Sequence, residues 1–274
     1  MIQQINIRKT VQEKNPFLAY IPFLVQWMKT IVHEKEINEF LLRYGHLQGI
    51  EFAKSMLEFL NVQVEVKGNY PPLDGRYIFV SNHPLGGLDG IIFMCVISAA
   101  FPNIKFPVND ILYAIENLRE FFLPINKHGD QDSNAVEEIN QAYASIDKQM
   151  LMFPAGLVSR RMDNGDIIDL PWQTHFIKKA VKFERDIVPV HISGNNSDWF
   201  YTVANMRKQA RIKSNIEMML LPRELFLQTN KIIEITIGRP ISYKDFKKIP
   251  GKSSAKSSEF WADYVRKQVY ELTL

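Results

Sequence analysis

Tyr77-Ile78-Phe79-Val80-Ser81-Asn82-His83-Pro84-Leu85-Gly86-Gly87-Leu88-Asp89-Gly90 is the stretch that decides the fold. Its first four residues form a short apolar run with the composition of a buried strand. Ser-Asn-His-Pro then breaks the run as a turn, and Leu88 to Ala100 continues as a helix. The same alternation extends outward. Val62-Gln63-Val64-Glu65-Val66 alternates as a strand does, Ile104 to Val108 is a weaker strand, and Phe122-Leu123-Pro124-Ile125 follows a helical stretch from Ile111 to Phe121. Asn134 to Lys148 reads as helix, Met150-Leu151-Met152-Phe153 as a buried strand ending at Pro154-Ala155-Gly156, and Thr174 to Phe183 as helix. Ile187 to Ile192 is again a strand. Strands that alternate with helices predict an α/β fold with a mixed, mainly parallel sheet covered by helices on both faces. Such sheets bind ligands beyond the carboxyl ends of their strands, where Asn82-His83 and Ala155-Gly156 both fall.

Residues 1–61 differ from the rest and read as an N-terminal helical region. Ile37, Phe40, Leu41, Tyr44, Leu47, Ile50, Phe52 and Leu57 recur at near-helical spacing between Glu36 and Leu60, and Asn61 is a stop. Before them, Phe17 to Met28 is rich in Phe, Tyr and Trp and is flanked by Lys29, the pattern of an interfacial anchor. It is too short to span a bilayer. The expected division is therefore a membrane-associating helical region, 1–61, and a second domain, 62–274. Ser253 to Ser258 reads as a polar loop before a last helix.

The 274 residues carry a net charge of +3. The charge is uneven, because Met206 to Leu274 alone holds 14 basic against 7 acidic residues. A basic tail region suits an anionic membrane surface or an acidic carrier protein, and equally a solvated helix surface. Nucleic-acid binding would call for a stronger basic face. The single cysteine, Cys95, sits in an apolar run and excludes a disulfide framework or a cysteine-based zinc site. Without a secretory signal, the expected place is the cytoplasmic face of the membrane, as a peripheral protein. There is no metalloprotease helix, no serine-hydrolase elbow, no phosphate loop and no dinucleotide glycine motif. No bound cofactor or metal is expected.

His83 and Asp89 are six positions apart, with Gly86-Gly87 between them to let the chain fold back. A carboxylate on one imidazole nitrogen fixes the tautomer and leaves the other nitrogen basic, able to take a proton from a hydroxyl. Spacing alone allows a second reading, with Asp89 as a helix cap and His83 as a turn residue. His175 and His191 read as structural histidines.

Asn82-His83-Pro84-Leu85-Gly86-Gly87-Leu88-Asp89-Gly90 resembles the first motif of the glycerolipid (lysophospholipid) acyltransferase superfamily. It is most similar to the hemolysin-like branch, which includes ornithine-lipid O-acyltransferases. Phe153-Pro154-Ala155-Gly156-Leu157-Val158-Ser159-Arg160-Arg161 resembles that branch's version of a Phe-Pro-Glu-Gly-Thr-Arg-Ser block. Trp172 with Phe176 and Ala180, then Ile187 to Asn195, Leu221 to Phe226 and Ile237 to Ile241 follow in the branch's order. The resemblance implies His83 as general base and Asp89 as its orienting partner. It implies acceptor binding by Gly156, Ser159, Arg160 and Arg161, with Lys127 at the place of an acceptor-binding arginine. The implied reaction moves a fatty acyl chain from an acyl carrier protein (acyl-ACP) or coenzyme A (acyl-CoA) thioester to a lysolipid hydroxyl.

The sequence departs from the common pattern in three places. Five residues rather than four separate His83 from Asp89, Ala155 replaces a glutamate, and the second block lacks a clear glycine and arginine. The last two changes count against a glycerol-phosphate acceptor and leave room for an amino-acid-based lysolipid, such as an acylated ornithine or glycine derivative. Three alternatives stay open at this level: a 1-acylglycerol-3-phosphate acyltransferase, a lipid-ester hydrolase using the same histidine on water, and a catalytically silent membrane-binding protein.

Overall fold

The computed structural model describes residues 4–125 and 133–273. Five helices lead: α1 (Ile7–Lys14), α2 (Pro16–Ala19), α3 (Pro22–Val32), α4 (Glu34–Tyr44) and α5 (Gly49–Phe59). The α/β part follows as β1 (Gln63–Gly68), β2 (Tyr77–Ser81), α6 (Gly87–Ser98), β3 (Ile104–Val108), α7 (Asp110–Tyr113), β4 (Phe122–Pro124), α8 (Ser133–Ala144) and β5 (Gln149–Met152). A small hairpin, β6 (Arg160–Arg161) and β7 (Ile167–Ile168), precedes α9 (His175–Phe183) and β8 (Asp186–Ile192). The chain closes with α10 (Asp198–Gln209), α11 (Leu221–Phe226), β9 (Ile232–Ile237) and α12 (Ser254–Glu271).

Seven strands make one sheet in the order β1-β9-β8-β2-β5-β3-β4. Every pairing is parallel except β8 with β9. The expected mixed, mainly parallel sheet is thus present. All five residues of β2 are buried, and they alternate between two apolar layers. Tyr77 and Phe79 join the layer under α5 and α6. Ile78 and Val80 join the layer under α8, α9 and α12. A strand covered on both faces must be apolar at every position, which is why this run shows no alternation in sequence. Each such fully buried side chain contributes about 1.5–3 kcal/mol of transfer free energy.

Several segments end differently from their sequence patterns. The helical pattern from Glu36 to Leu60 divides into α4 and α5, because Gly45 to Gln48 leave the helix and Asn117 Nδ2 donates to the carbonyls of Gly45 (3.0 Å) and Leu47 (2.6 Å). Phe40, Phe52 and Leu60 share one core cluster with the sheet and α6. The Phe17 to Met28 stretch divides between α2 and α3, and Pro22 takes the first turn of α3 where no amide donor is needed. His33 separates α3 from α4 in the left-handed region (φ 56°), with its ring stacked on Phe226. The helix read from Ile111 to Phe121 is α7 followed by a 3-10 helix, Glu116–Phe121.

The helix read to Lys148 stops at Ala144, where the buried Arg185 takes over the terminal carbonyls. Its guanidinium donates to Tyr143 (2.7 Å), Ala142 (3.3 Å), Ser145 (2.5 Å) and Lys148 (2.8 Å). Burial holds this guanidinium's pKa down to about 10. Ser253 to Ser258 is not a loop: Ser253 caps α12 by accepting from the Lys256 amide at 3.3 Å. Elements α10, β9 and the β6-β7 hairpin had no sequence reading.

Candidate active site

The carboxyl ends of β2, β5 and β8 meet at Asn82, Phe153 and Ile192. Asn82 extends the ladder with its side chain. Its Nδ2 donates to the Ile192 carbonyl (2.8 Å), and its Oδ1 accepts from the Ile192 amide (2.8 Å). The amide pair acts as one more strand residue and frees the backbone to turn at His83.

The turn closes on itself through Asp89. Gly86 stands at φ +81° at the head of α6, and a Cβ there would lie 2.9 Å from Leu221. Only glycine suits that combination. The fold-back brings Asp89, fully buried in the first turn of α6, onto the ring of His83: Nδ1 to Oδ2 is 2.9 Å. The same oxygen accepts from the amides of Leu85 (2.8 Å) and Gly86 (3.0 Å). Burial pushes the Asp89 carboxyl above the ordinary carboxylate range, while His83 and the two amides pull it back. With Nδ1 turned to Asp89, Nε2 lies on the opposite side of the ring. The ring stacks on Phe153 at 4.1 Å between centroids, which fixes its plane.

His83 lines a cavity of about 2110 Å³. Gly86, Gly87, Met94, Phe106, Phe153 and Leu225 are among its walls. The volume and apolar lining suit long hydrocarbon chains.

The other expected site residues separate into two groups. Gly156 lines the cavity and closes the Phe153 turn, its amide donating to the Phe153 carbonyl at 3.0 Å. Ser159, Arg160 and Arg161 are each engaged with protein groups. The Ser159 hydroxyl donates to Asp169 at 2.6 Å. The buried Arg160 pairs with Glu217 at 2.7 Å and donates to the Val158 carbonyl at 2.8 Å. Arg161 pairs with Asp198 and lies over the Tyr201 ring. Lys127 lies outside the described residues. His191, on β8, meets the Tyr270 ring edge-on, and burial holds its pKa down to about 4. Among the described residues no group of His, Cys, Asp and Glu is arranged to hold a metal ion.

Asp169 went unnoticed in the sequence. It is fully buried beside the turn, accepting from the His83 amide (3.2 Å), the Ser159 hydroxyl and Trp172 Nε1 (2.9 Å). Its signal was slight: one carboxylate inside Ile167-Ile168-Asp169-Leu170-Pro171-Trp172. A buried acid in an apolar run has to be hydrogen-bonded.

An imidazole paired with a buried carboxylate thus stands at the wall of the cavity, at the carboxyl end of β2. A family model described as acyltransferase matches residues 9–273, and the chain belongs to that family and is an acyltransferase. It is 42% identical over 272 residues to the lyso-glycine lipid O-acyltransferase of Bacteroides thetaiotaomicron, covering 98% of this chain and 97% of that one. It is 39% identical to the lyso-glycine lipid O-acyltransferase of Phocaeicola vulgatus, over 98% and 95% of the two chains. Among solved structures it is similar to the 1-acyl-sn-glycerophosphate acyltransferase PlsC of Thermotoga maritima, with 18% identity, a TM-score of 0.47, and 97% and 98% of the chains covered.

Proposed function

We propose that this acyltransferase moves a fatty acyl chain from an acyl-ACP or acyl-CoA thioester to the hydroxyl of a lyso-glycine lipid, with His83 as general base and Asp89 as its orienting partner. The observation that carries the reading is the 2.9 Å contact between His83 Nδ1 and the buried Asp89 at the wall of the apolar cavity. Asp89 holds the proton on Nδ1, so Nε2 accepts the hydroxyl proton as the oxygen attacks the thioester carbonyl. The carbon–sulfur bond then breaks, the thiolate takes the proton back from His83, and an ester and a free thiol result. No enzyme nucleophile is needed, because a thioester is already activated.

One observation supports a glycine head group over a glycerol phosphate: both relatives above carry the lyso-glycine name over nearly their full lengths. Purified protein with an acyl thioester and lyso-glycine lipid is expected to yield the diacylated lipid by mass spectrometry. Lyso-ornithine lipid and lysophosphatidic acid should react about tenfold more slowly or worse. Faster turnover of lysophosphatidic acid, or free fatty acid without a new ester, would overturn the assignment.

The α2-α3 region supports a peripheral membrane contact. Phe17 is 85% exposed and Phe23 81%, and Tyr20 and Trp27 beside them are also exposed. Such aromatic side chains seat at a lipid interface. No helix among the described residues is long and apolar enough to cross a membrane. The protein is expected to float with phosphatidylglycerol vesicles and to lose most of that recovery when Phe17 and Phe23 are both changed to serine. Undiminished flotation of the double variant would rule this surface out.

A further inference from the structure

We propose that Asp169 and Ser159 are positioning residues that clamp the main chain of His83 and so hold its imidazole in register with Asp89. The inference rests on His83 as the base and concerns what keeps that base in place. The amide of His83 donates to Asp169 Oδ1 at 3.2 Å. The carbonyl of the same residue accepts from the Ser159 amide at 2.8 Å. The Ser159 hydroxyl then donates to the same Asp169 oxygen at 2.6 Å, closing a ring around the His83 residue. Both polar groups of the His83 backbone are thereby fixed by residues of the hairpin region.

The clamp is itself anchored. Trp172 Nε1 donates to the second Asp169 oxygen at 2.9 Å. The Asp169 amide donates to the Tyr270 hydroxyl at 2.8 Å, and Arg266 donates to the Asp169 carbonyl at 2.5 Å. Tyr270 and Arg266 both belong to α12, so the last helix of the chain reaches the active-site turn through the backbone of one residue, Asp169. Asp169 is 0% and Ser159 1% exposed. Neither can meet a head group without first breaking the ring. A turn of Asn-His-Pro-Leu-Gly-Gly is free to adopt many conformations by itself, and reacting groups displaced by about 1 Å cost on the order of a hundredfold in rate.

The test uses Asp169→Asn and Ser159→Ala in the full chain, with nuclear magnetic resonance of ¹⁵N-labelled histidine and steady-state kinetics. Arg185→Lys is the comparison, because Arg185 donates to the carbonyl of Tyr77, at the opposite end of β2 from the turn. Asp169→Asn is expected to shift the His83 ring resonances and lower kcat about a hundredfold, with the acceptor KM within about twofold of wild type. Ser159→Ala should do the same with a loss of about tenfold. Arg185→Lys should leave the His83 resonances where they are. Unmoved His83 resonances in both clamp variants would overturn the proposal. So would a raised acceptor KM at unchanged kcat, which would mark a head-group contact. Full activity of His83→Ala would instead remove the base itself, and that outcome is read separately from the resonance shifts.

Discussion

Replacing His83 by alanine is expected to lower kcat for ester formation by about a thousandfold, within the range for losing a positioned general base. The expectation follows from the geometry around one nitrogen. Nδ1 faces Asp89 at 2.9 Å, so the loss falls on Nε2, the atom that would take the acceptor proton. The fold should tolerate the change. His83 stacks on one face of Phe153, while the main-chain contacts to Asp169 and Ser159 do not involve its ring. Asp89→Asn is expected to lose about a hundredfold or more, because a neutral amide no longer stabilises the positive charge that His83 gains as Nε2 takes the proton. The double variant should be little worse than His83→Ala alone, since residues acting as a unit are not additive. Product formation by mass spectrometry under single-turnover conditions decides it, and wild-type activity in His83→Ala would sink the mechanism.

Changing Glu217 to alanine is expected to cost about 3–5 kcal/mol of folding stability. Glu217 is fully buried between two guanidinium groups. Arg160 Nη2 hydrogen-bonds one oxygen at 2.7 Å. Arg207 Nε lies 2.9 Å from the other as an ion pair without hydrogen-bond alignment. Removing the carboxylate leaves the buried Arg160 and the part-buried Arg207 facing each other without a counter-charge, and burial already lowers the Arg160 pKa. Arg161→Ala is the contrast. Its partner Asp198 is exposed, so the pair should be worth less than about 1 kcal/mol. Urea denaturation of the two variants separates the cases. A Glu217→Ala midpoint close to wild type would show that the cluster relaxes or hydrates, and would reopen Arg160 as a head-group ligand.

The fold was legible where its signals are local. The buried strand Tyr77 to Val80 announced itself by composition, and the strand-turn-helix order around it implied a parallel sheet. The dyad was legible in part: His83 and Asp89 are six residues apart with two glycines that permit a fold-back, but spacing left a capping role for Asp89 open, and the resemblance of the motif singled out the pair. Helix ends were less legible. Ala144 ends α8 because Arg185, a residue of the next βα segment, supplies the capping donors. Gly45 to Gln48 break α4 from α5 because Asn117, about 70 residues on, takes their carbonyls.

Short-range sterics and hydrogen bonds set the strand, the turn and the helix, which is why these were readable in the linear chain, and the motif's resemblance pointed to the candidate base and its carboxylate. Only the tertiary structure decided which charged side chains are free to meet a substrate. Arg160 and Ser159 have the chemistry of head-group donors in any linear reading. Their partners, Glu217 at 57 residues' distance and Asp169 at 10, turn the one into a buried ion pair and the other into part of a clamp on His83. A side chain's charge is written in its own letter, but its availability depends on what the folded chain brings against it.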